Sequence, residues 1–253
     1  MQLGRKVVGI WQQMPSPMIS RFLAGMGWEW IILDMQHGSM NYETAYECIH
    51  TIRACGARPL VRTPIGAPAE VQKALDLGAA GVVVPMVNSR SESRAMAAAA
   101  KYPPRGERSV GGDNFYTQGR DYLERANKET LLLVQIEHID AVNAVEEILG
   151  VDGVDGCFVG PTDLALSMGL GRTGFDADPA HRAAIQKTVD VCRKLGKLAG
   201  TNSYSLAEAR EKAEQGYDFI TLRSDADLFW NSANDLLQRL KEQVQLPLQT
   251  LQT

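Results

Sequence analysis

The chain has 253 residues, 45% hydrophobic and 22% charged, with a net charge of −4. That balance suits one large globular domain and excludes a disordered or fibrous chain. The acidic charge and scattered Lys and Arg exclude nucleic acid or an anionic membrane as the main partner, and no run reaches the roughly 18 apolar residues of a membrane span.

Short apolar runs alternate with longer segments of helical period along the whole chain. Val7–Trp11 reads as a strand and Ser16–Met26 as the helix after it. The same pairing recurs with Trp30–Asp34 and Tyr42–Cys55, Pro59–Arg62 and Ala67–Leu77, then Gly81–Pro85 and Arg90–Ala100. In the second half Leu131–Glu137 precedes Asp140–Ile148, and Gly156–Gly160 precedes Pro179–Leu195. Leu198–Asn202 precedes Leu206–Gln215, and Asp218–Leu222 precedes Ala226–Gln243. Ser89 and Ser205 stand where N-caps are needed, and Gly196 and Gly216 where helices must stop. Eight strand–helix pairs in about 250 residues predict a single (β/α)8 barrel spanning 1–253. A doubly wound sheet would use fewer strands and a Gly-rich first turn, and no GxGxxG follows the first strand.

Two segments depart from the pattern. The long connection Tyr102–Thr130 is expected to help shape a site. The Gln-rich tail 241–253 reads as a frayed end or an arm that touches a neighbouring subunit. Cys48, Cys55, Cys157 and Cys192 form no CxxC pair and are expected as reduced, buried residues. With an N-terminus that lacks the apolar core of a signal peptide, they predict a cytoplasmic protein.

Barrel active sites sit at the C-terminal ends of the strands. Those ends carry Trp11, Asp34 with His37, Arg62, Glu137, Asp163, Asn202 and the Arg223–Asp225 stretch. Leu131–Glu137 and Gly156–Asp163 are apolar runs that each stop at a carboxylate, and a carboxylate there is costly unless something pairs with it. Together Glu137 and Asp163 would hold a hard divalent cation, with water or substrate oxygens completing the shell. The plainer alternative is that they pair with Arg62 or cap helices, since Asp163 suits the first turn of a helix. Arg62 would bind a substrate carboxylate or carbonyl oxygen through two parallel hydrogen bonds, or else form a structural ion pair. A histidine can take and return a proton near neutrality, so His37 suits proton transfer, although a lone loop histidine is more often just solvated. His50, His138 and His181 carry no such expectation. A Schiff-base route needs a lysine at the inner rim, but Lys6 and Lys197 precede their strands, so enolisation assisted by a metal is favoured.

These residues, with Gly27-Trp-Glu-Trp-Ile-Ile-Leu-Asp34, Ala74-Leu-Asp76-Leu-Gly78, Val84-Pro-Met86, Tyr102-Pro-Pro-Arg-Gly-Glu-Arg-Ser-Val-Gly111 and Val159-Gly-Pro-Thr-Asp-Leu164, carry a resemblance. From Val8 to about Leu240 the chain resembles the HpcH/HpaI aldolase family of metal-dependent (class II) pyruvate aldolases, which includes 4-hydroxy-2-oxoheptanedioate and 2-dehydro-3-deoxyglucarate aldolases. The resemblance implies reversible cleavage of 4-hydroxy-2-oxo acids to pyruvate or hydroxypyruvate and an aldehyde. It implies Glu137 and Asp163 as ligands of a divalent cation, Mg²⁺ ahead of Mn²⁺ or Co²⁺, and Arg62 as the stabiliser of the enolate oxygen. It also implies His37 as the catalytic base and Asp76 as an aspartate that reaches His37 from an adjacent subunit. Gln135 matches a position near metal and pyruvate, Gly160, Pro161 and Thr162 the wall beside the pyruvate carboxylate, and Trp11 and Asn202 the aldehyde side. Relatives of this kind form hexamers built from trimers.

Gln36 stands where the family commonly has Glu, which removes a charge beside the proposed base. Asn202 stands at a position that is apolar in the heptanedioate enzyme, which implies a different or more hydroxylated aldehyde. The rival readings are a malyl- or citramalyl-CoA type lyase, an oxaloacetate decarboxylase on the same scaffold, and a barrel that only binds a small carboxylate.

Overall fold

The computed structural model describes residues 6–119, 121–171 and 174–244. Its first half runs β1 (Val7–Gln12), α1 (Pro17–Gly25), β2 (Trp30–Asp34), α2 (Tyr42–Ala54), β3 (Arg58–Arg62), α3 (Pro68–Asp76), β4 (Gly81–Val84) and α4 (Arg90–Ala100). After the short helices α5 (Asp113–Thr117) and α6 (Tyr122–Glu129) come β5 (Leu131–Ile136), α7 (Ile139–Asn143), α8 (Val145–Leu149), β6 (Gly156–Val159) and α9 (Pro161–Ser167). The chain ends with α10 (Pro179–Leu195), β7 (Leu198–Ser203), α11 (Leu206–Gln215), β8 (Phe219–Ser224) and α12 (Asp225–Val244). The eight strands pair in parallel and in chain order, and β8 returns to β1.

Alternation along each strand builds two cores. Ile31 and Leu33 point outward under the helices, among Ile49, Val71 and Leu75. Trp30 and Ile32 point inward and fill the barrel with Leu60, Val83, Leu133, Phe158 and Phe219. Fully burying such a side chain stabilises the fold by roughly 1.5–3 kcal/mol. The helix boundaries follow the capping chemistry. Ser89 and Ser205 each accept a hydrogen bond from a backbone N–H three residues on, and Gly196 and Gly216 end their helices with left-handed φ angles of 64° and 108°.

Several expectations need correction. The helix expected over Asp140–Ile148 is two short helices, broken at Ala144 where the backbone leaves the helical region (φ −98°, ψ 12°). Cys48, Cys157 and Cys192 are buried, but Cys55 follows the last turn of α2 and is exposed. Among the described residues, none from Tyr102–Thr130 lines the cleft at the C-terminal rim. That connection folds instead against α3, where Asn114 Nδ2 donates to the Leu75 carbonyl.

Of the tail, 241–244 form the last turn of α12, and 245–253 lie outside the described residues. In α12 only Asp225 is buried, while Leu228, Phe229, Trp230, Leu236, Leu237, Leu240 and Val244 are all exposed. Among the described residues, no helix is long and apolar enough to cross a membrane.

Candidate active site

A cleft of about 300 Å³ opens at the C-terminal ends of the strands. Among the sequence-predicted residues, Trp11, His37, Arg62, Gln135, Gly160, Pro161, Thr162, Asp163 and Asn202 line it. Glu137 lies directly behind that wall, hydrogen-bonded to Gln135, and is only 2% exposed. Asp76 lies elsewhere, at the end of α3.

Strand register brings Arg62 to its partner. Asp34 and Arg62 are aligned neighbours on β2 and β3. Arg62 Nε donates to Asp34 Oδ1 at 2.9 Å and Nη2 donates to Oδ2 at 2.6 Å. Asp34 also accepts from the backbone N–H groups of Gln36 and His37, both at 3.1 Å, and from Gln13 Nε2 at 3.1 Å. Burial alone would raise the Asp34 carboxyl, but the hydrogen bonds and charge of Arg62, helped by Gln13 and His37, hold it below the usual range. The guanidinium carbon lies 4.5 Å from the Trp11 ring centre. The Trp11 indole is itself fixed by a 2.8 Å hydrogen bond to Thr221 Oγ1 and an edge contact with Phe158. The structural partner of Arg62 is therefore Asp34 rather than Glu137 or Asp163, and Asp163 stands in the first turn of α9, where a carboxylate is favoured.

Glu137 follows the last residue of β5. Its Oε1 accepts from the Met86 N–H at 2.9 Å and its Oε2 from Gln135 Nε2 at 2.6 Å. Met86 holds a left-handed φ of 54°, uncommon for a residue with a β-carbon, and its N–H is the one that meets this carboxylate. Burial, with the charge of Asp163 adding to it, pushes the Glu137 carboxyl up to about 7 against the pull of the Met86 N–H and Arg62. A β-carbon at Gly160 would lie 2.7 Å from Glu137 Oε2, so only glycine leaves room for the carboxylate here.

These residues fit a hard divalent cation. A buried carboxylate that feels a second carboxylate is short of positive charge, and Gln135 Oε1 is buried beside it with no hydrogen-bond partner. Among the described residues, no group of three or more His, Cys, Asp or Glu could hold a metal. Glu137 and Asp163 would leave the remaining positions around such a cation to water and substrate oxygens.

His37 is exposed at the rim, with its backbone tied to Asp34. Asp76 is gripped by the buried Arg108, Nη2 to Oδ1 at 2.8 Å, and Arg108 stacks on Tyr102. His138 caps α7, and Lys6 and Lys197 bond to the carbonyls of Tyr217 and Val154, away from the rim.

Sequence reasoning missed the role of Asp34 and overlooked Gln13, Tyr204 and Asp227, which also line the cleft together with Arg223 and Ser224 of the polar strand end. Asp34 carried a signal, since its apolar run ends in a carboxylate just as that of Glu137 does. Arg223 was noticed only as part of a polar strand end, because nothing in the sequence shows which way its side chain turns.

The sequence profile of the HpcH/HpaI aldolase/citrate lyase family matches residues 8–232. A hydroxypyruvate/pyruvate aldolase of Rhizorhabdus wittichii is 34% identical, over 92% of this chain and 94% of its own length. A 4-hydroxy-2-oxo-heptane-1,7-dioate aldolase of Salmonella arizonae is 33% identical, over 94% and 92%. The crystal structure of an HpcH/HpaI aldolase from Desulfitobacterium hafniense superposes with a TM-score of 0.88 at 29% identity, covering 96% of this chain and 95% of that one.

Proposed function

The chain belongs to the HpcH/HpaI aldolase/citrate lyase family and is a carbon–carbon lyase, and on that premise we propose a divalent-metal-dependent aldolase that joins and cleaves 4-hydroxy-2-oxo acids, with pyruvate or hydroxypyruvate as donor. The observation that carries this reading is a pair of carboxylates, Glu137 and Asp163, on the rim of a barrel whose neighbouring arginine is already neutralised by Asp34.

In this proposal Glu137 and Asp163 hold the cation, and their oxygen-only chemistry favours Mg²⁺ over softer metals. A cation there would act as a Lewis acid on the keto group of the 2-oxo acid. Arg62 stabilises the same oxygen as it gains charge in the enolate. Asp34 takes up its Nε edge, so the oxygen meets the Nη1 side, which has no protein partner among the described residues. The backbone of Gly160–Thr162 and the Gln135 amide flank the carboxylate end of the donor. Trp11 and Asn202 face the aldehyde.

His37 carries the proton, assisted by Asp76 of an adjacent subunit. Asp76 is part-exposed, pinned by Arg108 and not part of the cleft of its own chain. That suits a residue that completes a neighbour's site. A homohexamer, a dimer of trimers, is the assembly proposed, and it would also cover the apolar residues of α12. The free cysteines suit a reducing, cytoplasmic setting.

The direct test is exchange of pyruvate methyl protons into D₂O, followed by NMR. Exchange is expected with Mg²⁺ or Mn²⁺ and none after EDTA. Equal exchange in metal-free protein would refute the reading. A short aldehyde suits a cleft of about 300 Å³ better than an acyl-CoA, and parallel assays with malyl-CoA and oxaloacetate check the two rival lyases.

A further inference from the structure

Only two described residues other than glycine adopt left-handed φ, and both stand at the C-terminal rim. Met86 uses that conformation to aim its N–H at Glu137. The other is Arg223, in β8, at φ 61°. A side chain raises the energy of this conformation, so an arginine kept there implies a use for the side chain.

Arg223 lines the cleft on the wall formed by β7, β8 and the start of α12, beside Asn202, Tyr204 and Asp227. Among the described residues its side chain forms no hydrogen bond or ion pair, whereas Arg62, the other arginine of the cleft, is held by Asp34. The nearest candidate partner in sequence, Asp227, is engaged locally. Its Oδ2 accepts from the Ser224 N–H at 3.1 Å, while its own N–H donates to Ser224 Oγ at 3.0 Å, so the pair caps α12. Burial raises the Tyr204 hydroxyl, and the charge of Asp227 adds to it. The cleft thus offers one guanidinium with no side-chain partner among the described residues, on β8, two strands from β6.

We infer that Arg223 is a specificity residue that binds an anionic group at the far end of the acceptor aldehyde. The inference rests on the aldolase reading above and adds the acceptor class: a short aldehyde that carries a carboxylate or a phosphate. A guanidinium gives such a group paired, charge-assisted hydrogen bonds, while Asn202 and Tyr204 suit any hydroxyls between.

The test uses metal-loaded protein with pyruvate as donor and two matched pairs of acceptors, 4-oxobutanoate against butanal and glyceraldehyde 3-phosphate against glyceraldehyde. The charged member of at least one pair is expected to show the higher kcat/KM. The pair that shows it tells carboxylate from phosphate. Arg223→Met should lower kcat/KM for that aldehyde about 10- to 100-fold and leave its neutral partner unchanged. Arg223→Lys should retain part of the preference. Arg223→Gly should lose it while folding at least as well, since glycine is at home at this φ. Proton exchange of pyruvate should be unaffected throughout. Exchange without any charged preference in the wild type, or a preference unchanged in Arg223→Met, overturns the inference alone. Absence of exchange in the wild type overturns the aldolase reading with it.

Discussion

Asp34 and Arg62 face each other across the β2–β3 register and are joined by two hydrogen bonds of 2.9 and 2.6 Å, with Asp34 fully buried and Arg62 8% exposed. The pair fixes the guanidinium against Trp11 and orders the Gln36–His37 turn through two backbone N–H groups. One carboxylate therefore orients both the arginine proposed to stabilise the enolate and the loop that carries the proposed base.

Removing that carboxylate leaves a buried arginine without its counter-charge. Asp34→Ala is expected to cost about 3–5 kcal/mol of stability, measurable by urea unfolding. The sign of the pH dependence follows from the lowered carboxyl of Asp34. Its contribution is present above the unfolded value of about 3.9 and is lost as pH falls through the lower folded value. Unfolding midpoints below about pH 4 should therefore fall more steeply in the wild type than in Asp34→Asn. Parallel slopes would mean that the ion pair adds nothing to stability.

The barrel was legible because each strand is a compact apolar run and each long helix has a cap or a stop. Trp30–Asp34, Arg90–Ala100, Pro179–Leu195 and Leu206–Gln215 agree with the structure to the residue. The short helices α5 and α6 were not legible, and of α9 only the place of Asp163 in a first turn was. They are too brief for a 3.6-residue period to stand out, and Gly and Pro beside them read as loop. Glu137 and Asp163 were legible as charges at the ends of buried runs. The Asp34–Arg62 pair needed the strand register, and Arg223 needed a backbone angle, which no single stretch of sequence supplies.

At the proposed metal site, proton and cation would compete for Glu137. Its carboxyl is raised from 4.5 to about 7 by burial and by Asp163, so in the metal-free protein its contribution to stability is complete below 4.5 and lost as pH rises through 7. Added Mg²⁺ or Mn²⁺ should raise Tm most above pH 7, and apparent affinity should fall about tenfold per pH unit below it. Calorimetric titration in buffers of different ionisation heat should register proton release near pH 6 and none near pH 8. Glu137→Gln should remove that pH dependence together with most of the binding.

Gly160→Ala tests the packing behind the same carboxylate. The added methyl meets Glu137 Oε2 at 2.7 Å and Glu137 Cβ at 2.8 Å, so Glu137 must turn away from its Gln135 partner. Metal affinity should fall about 10- to 100-fold while the barrel remains folded, as checked by metal titration alongside circular dichroism. Unchanged affinity would place the cation away from Glu137.

The cross-subunit role proposed for Asp76 yields a test by mixing. Asp76→Asn and His37→Asn should each abolish aldol cleavage, since each leaves every site without one of its two proton-handling groups. In oligomers assembled from both variants, some sites receive an intact His37 from one chain and an intact Asp76 from the other. Activity should then reappear on co-expression and be absent when the two purified oligomers are merely combined without exchange. Because Arg108 binds Asp76 at 2.8 Å within one chain, Arg108→Met should weaken catalysis through loss of aim, and restoring the charge with Arg108→Lys should recover part of it. If the mixed oligomers are inactive while each variant still assembles as the wild type does, Asp76 does not complete a neighbouring site, and its bond to Arg108 serves only to anchor the Tyr102–Thr130 connection to α3.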